Sequence, residues 1–327
     1  MMDLDGYLGL ALPLVAACAA RPLSERLPPR TATWLLTATA VVMAVAGIAT
    51  LAVLALGGAL RLPAIAALGH LSQRVLRHDV QTGPAVGTVA GAMLVASLAA
   101  AGYAALRQVR GLLAAARTTR ALPGDDLVAV VDDPAAEAFA LPGRPGRVVV
   151  STGMLSILTA AERRALLAHE RAHLTGRHHL FRALTGIVTA ANPMLWPLRG
   201  AVAYTTERWA DERAAATVDD RVQTARAIGK AALAHNDRPR LAHHAALGIG
   251  TTGRRPAGPW PRAGRPGPLP RRVAALLAPP PHGRPGLVTV TVVLVALSVL
   301  AVQDGAADLH ELIEHAQARP ASAPVQR

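Results

Sequence analysis

His169-Glu170-Arg171-Ala172-His173 lies inside an uninterrupted helix-forming run, Ala160 to Leu174. At 3.6 residues per turn, positions i and i+4 stack on one helix face. His169 and His173 can therefore direct two imidazole nitrogens at a single ion, with Glu170 beside it. A zinc ion with three protein ligands and one open position lowers the pKa of its bound water to ~7, and a neighbouring carboxylate can take the proton as that water attacks a carbonyl. The start of the helix has its own signature: Thr159 stands three residues before Glu162, the S/T-x-x-E capping box, ahead of the apolar Leu166-Leu167.

Zinc requires a third protein ligand. Glu207, in Thr206-Glu207-Arg208-Trp209-Ala210-Asp211-Glu212, follows His173 by about thirty residues, an interval that suits one helix, a turn and a return. Asn192-Pro193 supplies the turn, with Asn as N-cap and Pro at the first helical position, although Pro197 complicates the first turn. Glu207 and Asp211 are i,i+4 and share a face. Glu207 can bind the metal while Asp211 accepts a hydrogen bond from the second nitrogen of a ligand imidazole, which fixes its tautomer and raises its basicity. The competing reading is an exposed face that pairs with Arg208 and Arg213. Two histidines and one carboxylate favour zinc over other divalent ions. Near the C-terminus, His310-Glu311-Leu312-Ile313-Glu314-His315 has a similar composition, but i,i+5 spacing rotates the second His ~140° from the first, as on a solvated acidic face.

Ala138-Phe139-Ala140-Leu141-Pro142-Gly143, Arg147-Val148-Val149-Val150-Ser151-Thr152-Gly153-Met154, the H-E-x-x-H helix, Asn192-Pro193-Met194-Leu195-Trp196 and Glu207-Arg208-Trp209-Ala210-Asp211 together resemble the BlaR/MecR-type membrane metallopeptidases. More distantly, they are similar to HtpX and the CAAX prenyl proteases. The resemblance is close over about 138–217. It implies a mostly helical, zincin-like (gluzincin) catalytic domain with a small β-sheet. It further implies that His169, His173 and Glu207 bind one zinc per chain, that Glu170 is the general base, and that Asp211 supports a ligand histidine. It also implies that Val148, Val149, Val150 and Ser151 form an edge strand for a substrate backbone, ordinary core being the equal alternative. BlaR-type sensors carry a large extracellular domain after their last membrane helix. Only 24 residues follow Gln303, so antibiotic sensing is not expected.

The 327 residues are 52% hydrophobic and only 3% aromatic, too apolar for a typical soluble enzyme. Thr31–Leu60, Thr82–Leu106 and Gly286–Gln303 contain no charged residue, and each can cross a ~30 Å hydrocarbon layer. Gly6–Ala20 is shorter and contains Pro13. Val15-Ala16-Ala17-Cys18 resembles a lipoprotein cleavage site, but the preceding Met-Met-Asp-Leu-Asp lacks the positive charge of a signal, so a retained first helix is expected. The fold class is thus mainly α, with about four membrane helices. Three lie in 1–106 (about 6–20, 33–60 and 83–106), a catalytic domain spans 107–236, a Gly/Pro/Arg-rich linker 237–285, a fourth helix 286–303 and a tail 304–327.

Arg21, Arg26 and Arg30 follow the first segment and Arg107, Arg110, Arg117 and Arg120 the third, while Asp304, Asp308, Glu311 and Glu314 follow the fourth. The positive-inside rule then places the catalytic domain in the cytoplasm and both termini outside a bacterial plasma membrane. Residues 183–198, broken by Pro193 and Pro197, read as a helical hairpin near the membrane surface. Asp126–Asp132 and Arg147–Ser151 read as strands separated by a turn at Pro142–Gly146. One short helix is expected near Val273–Leu277, within a mobile linker. His178, His179, His243 and His244 lack the spacing of ligands and read as exposed, with an oxyanion contact from His178 or His179 as the other use. The net charge of +13 is spread through linkers and membrane flanks, which suits anionic lipid and argues against nucleic acid. One cysteine, Cys18, excludes an intramolecular disulfide. A membrane-embedded zinc endopeptidase acting on a protein or peptide is the primary expectation. Its rival is an inactive scaffold that keeps the peptidase frame.

Overall fold

The computed structural model describes residues 5–62, 83–124, 126–236, 267–280 and 283–318. His243, His244 and most of the expected linker lie outside these residues. The chain is mainly helical, with one three-stranded sheet. In order, it forms α1 (Asp5–Arg26), α2 (Pro29–Leu60), α3 (Pro84–Ala121), β1 (Val128–Val131), β2 (Ala138–Leu141) and β3 (Arg147–Ser151). These are followed by α4 (Thr152–Ile157), α5 (Ala160–Thr175), α6 (His178–Ala191), a 3-10 turn (Pro193–Leu195), α7 (Trp196–Val218), α8 (Arg221–Asn236), α9 (Pro268–Leu277) and α10 (Pro285–Ala318).

Among the described residues, α2, α3 and the Pro285–Glu311 part of α10 are long and apolar enough to cross a membrane. Each begins on a proline, at a position where the missing N–H leaves no helical bond unmade. The first apolar segment is helical, as α1, but with Pro13 and Pro22 inside it it is not among the three. Helix α3 continues to Ala121 with no break at the expected domain boundary. Helix α10 likewise carries on past Gln303 to Ala318, and there His310 and Glu314 are well exposed. Gly58 of α2 and Gly87 of α3 meet backbone to backbone: a Cβ on either would sit 2.5 Å from the other Cα. Such contacts let two apolar helices cross closely. The outward faces of α3 and α10 present Val89, Val95, Leu98, Val290 and Val293.

One end of every long helix meets the globular part. Arg208 of α7, itself buried, donates to the Ser24 carbonyl (3.1 Å) and so caps the C-terminus of α1. Thr33 of α2 donates to Thr205 of α7 (2.9 Å). Ala115 of α3 packs on Leu141 and Val149 of the sheet. Leu287 and Val288 of α10 pack against the core that holds Leu27, Leu36, Leu195, Leu198 and Val202.

The sheet order is β1-β3-β2, with β1 parallel and β2 antiparallel to β3. This corrects the expected edge strand. Val148, Val149, Val150 and Ser151 lie in the central strand, every residue of which is buried. Both of its backbone edges are used: Val148 N–H donates to the Leu127 carbonyl and Ser151 N–H to the Glu137 carbonyl. A run of apolar residues without alternation marks a strand covered on both faces. β2, which the sequence did not reveal as a strand, is an edge. At the base of β3, buried Arg147 donates to the carbonyls of Leu122, Pro123 and Asp126, tying the end of α3 to the sheet. Gly153 is required where β3 enters α4, because a Cβ there would overlap the Pro134 carbonyl.

Candidate metal centre

Helix α5 forms as its cap predicts. Thr159 N–H donates to the Glu162 carboxylate (2.9 Å) and Glu162 N–H donates to Thr159 Oγ1 (3.3 Å). Lys230 of α8 lies 2.6 Å from the same carboxylate. This fixes the start of α5, and the two histidines follow on one face two to three turns later. Asn192 accepts from Met194 N–H (3.1 Å), and the chain reverses through Pro193–Leu195 into α7. That helix brings Glu207 and Asp211 to the same place.

His169 Nε2 and His173 Nε2 are 3.1 Å apart. The Glu207 carboxylate straddles them, with Oε2 3.7 Å from His169 Nε2 and Oε1 3.7 Å from His173 Nε2. A tetrahedral zinc with bonds of ~2.0–2.1 Å holds its ligand atoms about 3.3 Å from one another. The three donors therefore fit one face of such a site, and among the described residues no other cluster of this kind occurs. Asp211 Oδ1 lies 3.0 Å from His169 Nδ1, on the side of the ring away from Glu207. Glu170 is buried next to the group, with the Ala140 backbone of β2 beside its carboxyl.

The two carboxylates are held by arginines that the sequence did not single out. Arg272 of α9 grips Asp211 with two bonds, Nε to Oδ2 (2.8 Å) and Nη2 to Oδ1 (2.7 Å), while its Nη1 lies 2.9 Å from Glu207 Oε2. Arg182 of α6 donates to Glu207 Oε1 (3.3 Å). Arg208, the partner in the competing reading, points away toward α1. Helix α9 is ordered by its neighbours. Leu276 is buried against Ala215, Ala225 and Ile228, Arg221 donates to the Leu276, Ala275 and Ala278 carbonyls, and Arg271 reaches Glu25 of α1 (2.7 Å). The expected mobile linker therefore contains a helix that completes the site. Its only sequence signal was the apolar run Val273–Leu277 behind two arginines.

His178 corrects another expectation. It is almost fully buried, and its Nδ1 lies 2.9 Å from His173 Nδ1. His179, beside it, is partly exposed.

The charges divide sharply. Burial opposes ionisation of Glu207 and Asp211, but Arg272 outweighs it and holds both carboxyls below their usual range. Burial raises Glu170 to about 7. It also holds His173 well below 6.5 and takes His178 down to about 4. For His169 burial acts in the same sense, but Asp211 overcomes it and raises the pKa. The site thus offers an ionised carboxylate that could hold a metal, a neutral histidine beside it, and a carboxyl with proton affinity suited to transfer near neutrality.

The model of peptidase family M48 matches residues 104–279, more than half of the chain. The chain belongs to peptidase family M48. It is therefore a metallopeptidase, a hydrolase. The M48 match begins inside α3 and ends just past α9, so it takes in the segment that carries Arg272. No curated protein and no solved structure matches the chain.

Proposed function

We propose that this M48 metallopeptidase is a zinc-dependent endopeptidase of a bacterial plasma membrane, of the BlaR/MecR type and more distantly like HtpX and the CAAX prenyl proteases. The observation that carries the reading is the triangle of donor atoms from His169, His173 and Glu207, matched to one face of a tetrahedral site. When bound, zinc supplies an electrophilic centre that acidifies water and polarises a carbonyl. Glu170 takes the proton from the attacking water and passes it to the leaving amine, consistent with a buried carboxyl raised to about 7. Asp211 holds the His169 ring, and Arg272 fixes Asp211 and Glu207 together.

The substrate backbone pairs with β2. Ser151 N–H bonds to the Glu137 carbonyl, and Phe139 stands opposite Val149. By the alternation of an antiparallel ladder, Ala138 and Ala140 then turn their N–H and C=O groups away from β3. That free edge passes beside Glu170 at Ala140. A peptide added there would present its carbonyls beside the proposed base.

α1 acts as a fourth membrane crossing. The arginine-rich ends of α1 and α3 lie on the cytoplasmic side with the catalytic domain, and both termini are outside. Substrates are a cytoplasmic regulator or membrane proteins. The scaffold alternative is disfavoured by a complete set of ligands, base and support.

The test is the metal content of full-length protein purified in detergent, beside a His169→Ala, His173→Ala double variant. About one zinc per chain in the wild type and almost none in the variant is expected. No bound metal after zinc is supplied would remove the basis of the mechanism.

A further inference from the structure

We propose that His178 is a positioning residue for His173: it accepts the hydrogen bond that leaves His173 Nε2 free to bind the ion. The inference rests on the zinc-centre reading. The two Nδ1 atoms are 2.9 Å apart, so one proton must lie between the rings. If His178 carried it, neutral His173 would hold its own proton on Nε2, aimed at His169 and Glu207, and that nitrogen could not bind a cation. If His173 carries it, Nε2 presents a lone pair to the site. A bound metal selects the second arrangement, and the proton of neutral His178 then sits on its Nε2.

The surroundings keep His178 uncharged and fixed in place. His178 Nε2 is buried and has no hydrogen-bond partner. It faces Gly176, where a Cβ would overlap the His178 ring. The ring is wedged between His173 and Trp209, with centroids 4.8 and 4.7 Å away. It also stands at the first position of α6, where the helix N-terminus disfavours an added positive charge. His178 is thus a neutral acceptor on a rigid mount. The two histidine ligands have different supports: a carboxylate, Asp211, behind His169, and an uncharged imidazole behind His173.

The experiment is a zinc titration of full-length detergent-purified protein against a competing chelator, comparing wild type, His178→Phe, His178→Asn and Gly176→Ala. Phe keeps a ring against Trp209 but cannot accept a hydrogen bond; Asn accepts one through its side-chain oxygen but fills less space. The positioning role predicts that His178→Phe loses about 10- to 100-fold in zinc affinity, the range for removing a ligand's hydrogen-bond partner. His178→Asn should stay close to wild type, and Gly176→Ala, which displaces the ring, should fall with Phe. Thermal unfolding of the metal-free variants checks that each is folded. Unchanged affinity in His178→Phe, or a greater loss in His178→Asn than in His178→Phe, overturns the proposal and leaves His178 as packing. Failure of the wild type to bind zinc would instead overturn the metal-centre reading beneath it.

Discussion

Glu170 and Arg272 do opposite electrostatic work within a few ångströms. Burial keeps Glu170 ready to hold a proton, whereas Arg272 keeps Glu207 and Asp211 ionised despite theirs. Substituting Glu170→Gln is expected to lower peptide hydrolysis by at least ~100-fold, the usual scale for a general base. Its zinc content, measured in parallel, should be unchanged, because the side chain is no part of the donor triangle. Arg272→Ala should act differently. It leaves buried Asp211 and partly buried Glu207 without their main counter-charge, and breaking a buried pair typically costs about 3–5 kcal/mol. Denaturation of the metal-free protein should show that loss. Lysine cannot reproduce the two-bond grip on Asp211 together with the third contact to Glu207, so Arg272→Lys is expected to recover only part of it.

The strand β2 and the helix α9 are both short, and both matter through their free groups. In β2, Ala140 turns its N–H away from the ladder with β3. Proline at an edge position whose N–H faces outward is compatible with a sheet. Ala140→Pro should therefore fold and bind zinc. It should nevertheless lose about tenfold or more in kcat/KM, because a backbone bond to substrate disappears. Equal activity in that variant would refute β2 as the docking edge. Helix α5 depends on its cap: Thr159→Ala removes the acceptor for Glu162 N–H and is expected to cost about 1 kcal/mol in denaturation measurements.

Across the molecule, the metal-free protein should lose stability in mild acid. His178 has a folded-state pKa of about 4 against an ordinary 6.5. Between those values the unfolded chain binds more protons, so stability rises with pH and is lost on acidification. The size from His178 is on the order of 3 kcal/mol. His173 acts in the same direction. His169, with a raised pKa, gives stability below its unfolded value that fades as pH rises through the folded one, and so opposes them. Glu207 and Asp211, both lowered, lose their contribution only in stronger acid. Thermal unfolding in detergent should shift to lower temperature from pH 7 to pH 5, and by less in His178→Phe. The long helices bind this centre to the apolar part of the chain: Arg271 joins α9 to Glu25, and Arg208 joins α7 to the end of α1.

Local chemistry by itself picked out the candidate donor residues, the helix that carries two of them, its capping box, the reversal at Asn192-Pro193 and the long apolar helices. These rest on spacing of a few residues, on one helix turn or one cap, and such periodicities are written in the chain. Only the tertiary structure decided that β3 is central and β2 the edge, since both are short apolar runs and sheet order comes from long-range pairing. The same holds for Arg272, 61 residues from Asp211 in sequence, and for His178. A salt bridge between distant segments has no period to read. A buried histidine at i+5 from His173 reaches it because α5 ends at Gly176 and the chain turns through Arg177, in the left-handed region, into α6. Helical spacing alone would have set the two rings ~140° apart.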